Sequence, residues 1–362
     1  MRYILLGVLI GLLLGFIPLM EPSGAMEFYP EWYGRIGDLQ GVEKSTHPAL
    51  LKSGLPPLQK DNTIWYLNAD GTLVQTIAFT GKNMAASGNG RYFVEYEKVG
   101  KSIEFLNREG ERFWKSKSLE YPYLSQNGRI VLLLTGDHSR VRIMDNNGAE
   151  TGAREISGRL CTVLAFSRIS DASAVGFLDG SYYLLDGRGN IAASGTAPNG
   201  SIIKSLAVSN NGRYLALHYG NRSGDHLGLL DSEKKSLDTL ELGSRHYTKT
   251  ALHVSNSGHI AFLDHRRILI TDDDCDIDFE IKIPDKRQGH AGLDLSDGLY
   301  AASFSLTTGG TQFLLFRDNG HILLSRSIPE ESFLDCWIKK PVILLRGSQG
   351  LYCYSFHDPA NP

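Results

Sequence analysis

Little in this chain announces an active site. Its four cysteines, Cys161, Cys275, Cys336 and Cys353, are scattered through 362 residues, with no Cys-x-x-Cys pair and no cysteine–histidine spacing suited to zinc. There is no Gly-x-Ser-x-Gly element to carry a hydrolase nucleophile. Charged residues make up 21 % of the chain and the net charge is −3, so no global pull draws it toward nucleic acid or an acidic membrane surface. The basic stretches Lys234-Lys235 and His265-Arg266-Arg267 stand beside Glu233 and Asp264, too few and too compensated for a nucleic-acid face. Nothing reads as a long coiled coil or a disordered tail. Neither a catalytic residue, a cofactor site nor a metal site is assigned.

Long apolar runs are also missing, with one exception. Tyr3 to Met20 is an uncharged run of 18 residues, preceded by Arg2 and followed by Glu21, Glu27 and Glu31. A helix of about 20 residues spans a bilayer, and the basic residue in front places everything after Met20 on the extracytoplasmic side. Two readings stay open. Ser23-Gly24-Ala25 fits a signal-peptidase site, which gives secretion after cleavage near Ala25. The run is longer than the usual signal core of about 7–15 residues, which favours a retained anchor in an inner membrane. Gly7, Gly11 and Gly15 form a doubled G-x-x-x-G through which two such helices could pair as a homodimer. Either way the remainder is expected to be exported, in the periplasm or beyond.

What the chain has in abundance is punctuation. Glycine numbers 39, and tyrosine and phenylalanine together 31 (16 and 15), a mix that suits many short strands and tight turns. Ser-x-x-Gly between two apolar strands occurs at Ser87–Gly90, Ser125–Gly128, Ser209–Gly212 and Ser255–Gly258. A shortened copy is Ser296-Asp297-Gly298, and a degenerate one runs from Ser167 to Ser173. The serines at 87, 125, 167, 209, 255 and 296 are 38, 42, 42, 46 and 41 residues apart, the size of one four-stranded propeller blade. A second signature is an apolar strand ending in Asn or Asp, with glycine three residues on: Asn68 and Gly71, Asn107 and Gly110, Asp145 and Gly148, Asp186 and Gly189. Asn or Asp bonds the backbone ahead and glycine accepts positive φ, which marks the junction of the third and fourth strands. Strands such as Ile130–Leu134 are apolar throughout, as expected of a strand buried on both faces.

The expected fold is therefore all-β: a seven-bladed β-propeller preceded by an N-terminal apolar helix. Residues 1–20 are the anchor or signal peptide, 21–60 a proline-rich neck and 61–362 the propeller. Seven first-strand starts are read near Met84, Tyr121, Cys161, Ile203, Ala251, Ala291 and Phe333. The last copy, Leu351–Phe356, is a third strand without a fourth, and the hairpin Ile64–Phe79 is available to close the ring. An eighth blade built partly from residues 27–60 is the alternative. Aromatics between Phe28 and Tyr33 could dock on the main domain. The cysteines are expected mostly as buried thiols, since Cys336 and Cys353 fall on first and third strands of one blade, beyond disulfide reach.

The period and the Ser-x-x-Gly junctions make residues 62–356 resemble WD40-like and quinoprotein-like β-propellers, although the Trp-Asp dipeptide of typical WD40 blades is absent. The resemblance implies a disc with a central channel and loop-rich faces that bind partners.

Three local clusters remain. Asp272, Asp274, Asp276 and Asp278 alternate like calcium ligands, but the glycine and bidentate glutamate of an EF-hand loop are missing, so a solvated acidic turn is favoured. The histidines, among them His218, His226, His259 and His265, need convergence in space that spacing does not reveal. Asn221–Asp225 is read as a surface insertion and a contact site. Trp32, Trp65, Trp114 and Trp337 are candidates for contact anchors or core. The function expected is that of a non-catalytic protein-binding or scaffolding module, held to the membrane through residues 3–20, with protein partners on its loops and none among nucleic acids. The alternative is a periplasmic hydrolase or quinone-dependent oxidoreductase with its site at the channel mouth.

Overall fold

The computed structural model describes residues 26–36, 39, 55–60, 62–97, 102–247, 250–283, 286–296 and 298–357. The apolar run 3–20, its glycines Gly7, Gly11 and Gly15, and the cleavage site near Ala25 lie outside the described residues. Among the described residues no helix is long and apolar enough to cross a membrane.

The strands form eight antiparallel sheets, not seven. Six of them, blades 2 to 7, are four-stranded and built from consecutive segments: 83–116, 121–157, 161–196, 202–241, 251–282 and 286–328. Their first strands begin at Asn83, Tyr121, Cys161, Ile202, Ala251 and Lys286. Blade 8 takes three strands from the C-terminal end, Leu334–Lys339, Val342–Gly347 and Gly350–His357, and its outermost strand from the N-terminal side, Glu27–Arg35. Among the described residues blade 1 has three strands, Leu58–Lys60, Thr63–Leu67 and Leu73–Ala78.

The count of seven fails because the hairpin of residues 64–79 is not the piece that completes the last blade. It has the same third-to-fourth turn as every other blade, with Gly71 at φ 85°, and makes a blade of its own. The strand that completes blade 8 hides in the proline-rich neck. Proline is tolerated on an edge strand or at a bulge, and the register of Glu27–Arg35 against Gly350–His357 shifts between Pro30 and Trp32.

Eight buried apolar clusters fill the gaps between neighbouring blades. Phe105 meets Leu133 between blades 2 and 3, Leu217 meets Leu184 between blades 4 and 5, and Phe316 meets Ile270 between blades 6 and 7. The ring closes where Trp32 and Leu351 of blade 8 pack with Leu58 and Leu67 of blade 1. Second strands lie in the middle of this packing, and every residue of Ile130–Leu134, Ser173–Phe177 and Tyr214–Gly220 is buried. Their uniform apolarity is the sequence trace of burial on both faces.

The repeated turns perform the same task in each blade. Ser87 Oγ accepts the Tyr92 amide at 3.1 Å, Ser125 Oγ the Ile130 amide at 3.0 Å, Ser209 Oγ the Tyr214 amide at 2.9 Å and Ser255 Oγ the His259 amide at 3.0 Å. Gly128, at φ 71°, lies beneath the ring of Tyr92 in the preceding blade, where a Cβ would come within 2.7 Å of Cδ2. These turns also reach sideways. Ser125 Oγ and the Asn127 amide both donate to Asp171 Oδ1 in the next blade, at 2.6 and 3.0 Å. The Asn211 amide donates to Asn256 Oδ1 at 2.8 Å. Together they belt one face, here the lower face. The upper face carries the connections between second and third strands and from one blade to the next.

A bridge crosses the channel near the lower face. Arg168 of blade 4 pairs with Asp294 of blade 7 and donates to the Leu293 carbonyl at 3.2 Å. Asp294 is buried and accepts the amide of Ile338 in blade 8 at 2.6 Å. Burial raises its pKa against the opposing pull of Arg168. A cavity of about 460 Å³ lies along the inner strands of blades 4 to 7.

The four cysteines are buried free thiols. Burial pushes Cys161 up to about 11 and Cys275 and Cys353 to about 12, which leaves little thiolate for redox or metal chemistry.

Candidate functional site

A cleft of about 620 Å³ opens on the upper face between blades 4, 5 and 6. Three connections build it: Gly200 before the first strand of blade 5, Gly220–Arg222 after its second strand, and Arg245–Tyr247 before the first strand of blade 6. Thr162, Ile203 and Lys204 from inner strands complete its walls.

Beneath the cleft runs a buried polar network. Asp225 has no exposed surface and accepts four hydrogen bonds. They come from Lys204 Nζ at 2.6 Å, His218 Nε2 at 3.1 Å, His246 Nδ1 at 3.1 Å and the His246 amide at 2.7 Å. His246 Nε2 donates in turn to Asp264 Oδ2 at 3.1 Å. Asp264 also takes the amides of Arg266 and Arg267 at 2.6 and 2.9 Å. Thr250 Oγ1 donates to His218 Nδ1 at 2.8 Å, and Lys204 Nζ donates to the His246 carbonyl at 2.8 Å. Two carboxylates facing His246 call for a proton on each of its nitrogens, and His218, with Nε2 facing Asp225 and Nδ1 facing the Thr250 hydroxyl, fits as a neutral ring protonated on Nε2.

The electrostatics agree. Burial drives the pKa of His218 down against the opposing pull of Asp225. For His246, burial also pulls down, but the hydrogen bonds to Asp225 and Asp264 outweigh it and the pKa is raised. Both carboxylates would rise on burial alone, yet the donors around them hold each well below the usual carboxylate range.

Ligand atoms of His218, Asp225 and His246 lie close enough to share a cation, as do those of His246, Asp264 and His265. The first set does not suit one. Asp225 is already saturated by an ammonium, an amide and two imidazoles, and a metal would need both imidazole protons removed. With both nitrogens of each ring engaged, the network holds no free general base. It is a brace. It fixes the backbone of His246 through both its amide and its carbonyl, and so fixes Arg245 and Tyr247 on either side at the cleft.

The sequence points to the Asn221–Asp225 loop as a contact site, and the structure places Asn221 and Arg222 in the cleft wall. Asp225, read from sequence as surface, instead turns inward to anchor the network. Lys204, Arg245, His246 and Tyr247 carry no sequence signal: Lys204 and His246 each lie 21 residues from Asp225, and no recurring spacing encodes that relation. His226 stacks on Tyr219 at 5.4 Å, away from the network. The acidic cluster behaves as a turn. Asp272 Oδ1 accepts the amides of Asp274 and Asp276 at 3.1 and 2.9 Å, as Asp145 does for Asn147 and Ala149. Of the tryptophans, Trp32 is buried and Trp65, Trp114 and Trp337 are half-buried, so none projects as a surface anchor.

A family model described as beta-propeller protein matches residues 2–275. The chain belongs to that beta-propeller family. The propeller is similar to a chain of a mitotic checkpoint complex crystal structure, at 13% identity and a TM-score of 0.50, covering 76% of this chain and 86% of that one. It is also similar to BamB from Moraxella catarrhalis, at 13% identity and a TM-score of 0.48, covering 84% and 98%. A third similar structure is the β-propeller domain of Cps50 (Swd1) from Myceliophteria thermophila, at 13% identity and a TM-score of 0.45, covering 78% and 98%. At such identity these likenesses speak to the fold alone. No curated protein matches the propeller.

Proposed function

We propose that this propeller is an exported binding or scaffolding module, tethered at the membrane by residues 3–20 or released after cleavage near Ala25, and that it engages a partner protein through its upper face. The observation that carries this reading is the cleft: a concave, solvent-open site whose rim residues are set by a saturated buried network. Rigid scaffolds that present fixed loops favour recognition, since less ordering entropy is lost on binding. Tyr247, 87% exposed at the rim, has the amphipathic character of an interface anchor. One of the similarly folded chains comes from the crystal structure of a multiprotein assembly, the mitotic checkpoint complex.

A photo-crosslinking residue introduced at Tyr247 of the full-length protein in its own cells tests the reading. A control carries the same residue at Phe113, an exposed position on the outer strand of blade 2. A discrete adduct from Tyr247 and none from Phe113 is expected. Adducts of equal yield from both positions, or none from either, overturn it.

A further inference from the structure

We infer that the upper-face cleft takes an acidic segment of a partner protein, with carboxylates seated on Arg222 and Arg245. This inference rests on the reading of the upper face as a partner-binding surface and names the chemistry of what it binds.

Among the described residues lining the cleft are Lys204, Arg222, Arg245 and His246 and not one aspartate or glutamate. Lys204 is already matched by Asp225, and His246 is held between two carboxylates. The two arginines are different. Both are exposed, and neither has an ion-pair partner among the described residues. Elsewhere in the same blades the pattern is the reverse: Arg213 pairs with Asp231 at 2.6 Å and Arg267 with Glu280 at 3.0 Å. The guanidinium fork matches a carboxylate in two parallel hydrogen bonds.

Both arginines sit on prepared backbone. The Asn221 side chain accepts the Ser223 amide at 2.8 Å and donates to the Asn199 carbonyl at 3.0 Å, which braces the turn bearing Arg222. Arg245 precedes the clamped His246. Tyr247 adds an aromatic face for an apolar side chain next to the acids. A long polyanion fits the molecule poorly: the net charge is −3, and Glu233 and Glu241 lie on the same blade. A short acidic stretch needs only the local positive site.

The test measures binding of the full-length protein to a labelled ten-residue peptide of Asp and Glu around one Leu. The comparison probes are the Asn/Gln version of that peptide, a single-stranded oligonucleotide of equal charge and phosphatidylglycerol vesicles. The acidic peptide is expected to bind, more weakly as salt rises. The double variant Arg222→Gln, Arg245→Gln should lose about tenfold or more in affinity, since a hydrogen bond to a charged group is worth about 1.5–3 kcal/mol. Its thermal unfolding should match that of the unaltered protein, because neither side chain supports the core. Equal binding of the neutral peptide, preferential binding of the oligonucleotide or vesicles, or an unaffected double variant overturns the inference. If the Tyr247 crosslink persists while the arginine variants bind unchanged, the acidic chemistry fails and the partner-binding reading stands. If the crosslink is lost as well, both fail.

Discussion

His246 is the residue on which the upper face turns. It is fixed at both backbone ends and both ring nitrogens, by groups from two blades. Its raised pKa makes its contribution to stability depend on pH in a definite direction. An imidazole favoured as a cation in the fold stabilises fully below its unfolded value of about 6.5, and the stabilisation fades as pH rises through the higher folded value. Urea unfolding of the protein from about pH 5.5 to 8.5 should therefore show a stability difference over His246→Gln that shrinks with rising pH. A difference that grows with pH would mean that His246 is neutral in the fold. Asp225 and Asp264 act oppositely: their contribution is lost only in acid, as pH falls below about 4 toward their depressed values. None of this was legible in the sequence. Lys204, Asp225, His246 and Asp264 come together because blades 5 and 6 are neighbours, and the serine period that fixes blade size does not say which side chains face the shared gap. The arginines of the cleft were equally silent, since an exposed arginine beside a glycine-rich turn is ordinary.

The turns were the legible elements. A turn must recur once per blade, so its serine, its Asn or Asp and its glycine repeat at the blade period and stand out against unrelated positions. The structure explains why each residue type is needed. The serine hydroxyl caps the following strand, the carboxylate holds the third-to-fourth turn, and the glycine of the four Ser-x-x-Gly copies takes φ of 69°, 71°, 76° and 97°. Two glycines separate the effects involved. Gly81 has φ 74° and no heavy atom within 4 Å of where a Cβ would stand, whereas Gly128 has φ 71° and the Tyr92 ring at 2.7 Å. Gly81→Ala should cost about 1–2 kcal/mol from the left-handed backbone alone. Gly128→Ala should cost that and about 1–3 kcal/mol more for displacing the ring. Chemical denaturation of the two variants measures the difference, and equal losses would show that the Tyr92 contact carries no weight. The strand Glu27–Arg35 escapes the same reasoning because it has no serine turn and carries Pro30, so its pattern is that of a neck.

At the scale of the whole ring, closure depends on that one strand. Trp32 is 6% exposed, and its Nε1 donates to the Ala69 carbonyl of blade 1 at 2.7 Å. It thus links the N-terminal strand both to blade 8, where it pairs, and to blade 1, against which it packs. Trp32→Ala should cost about 3–5 kcal/mol, while Trp32→Phe, which keeps most of the apolar bulk, should lose nearer the 1 kcal/mol of a single hydrogen bond plus a modest packing loss. Urea denaturation compares them, and an alanine variant within about 1 kcal/mol of the unaltered protein would mean that the ring closes without this contact. The sequence puts seven blades first and an eighth built partly from residues 27–60 second, because the closing strand and its partner stand far apart in the chain; the eight-bladed alternative is the one the structure shows.

That arrangement also has a mechanical side. Glu27 pairs with His357 and Arg35 with Gly350, so tension applied ahead of residue 27 meets the Glu27–His357 pair first and then each pair in succession. A load directed away from the sheet edge would peel the seam open one rung at a time, whereas one along the strand would shear all rungs together. Under such a load the ring would open at blade 8 while the other blades stayed folded.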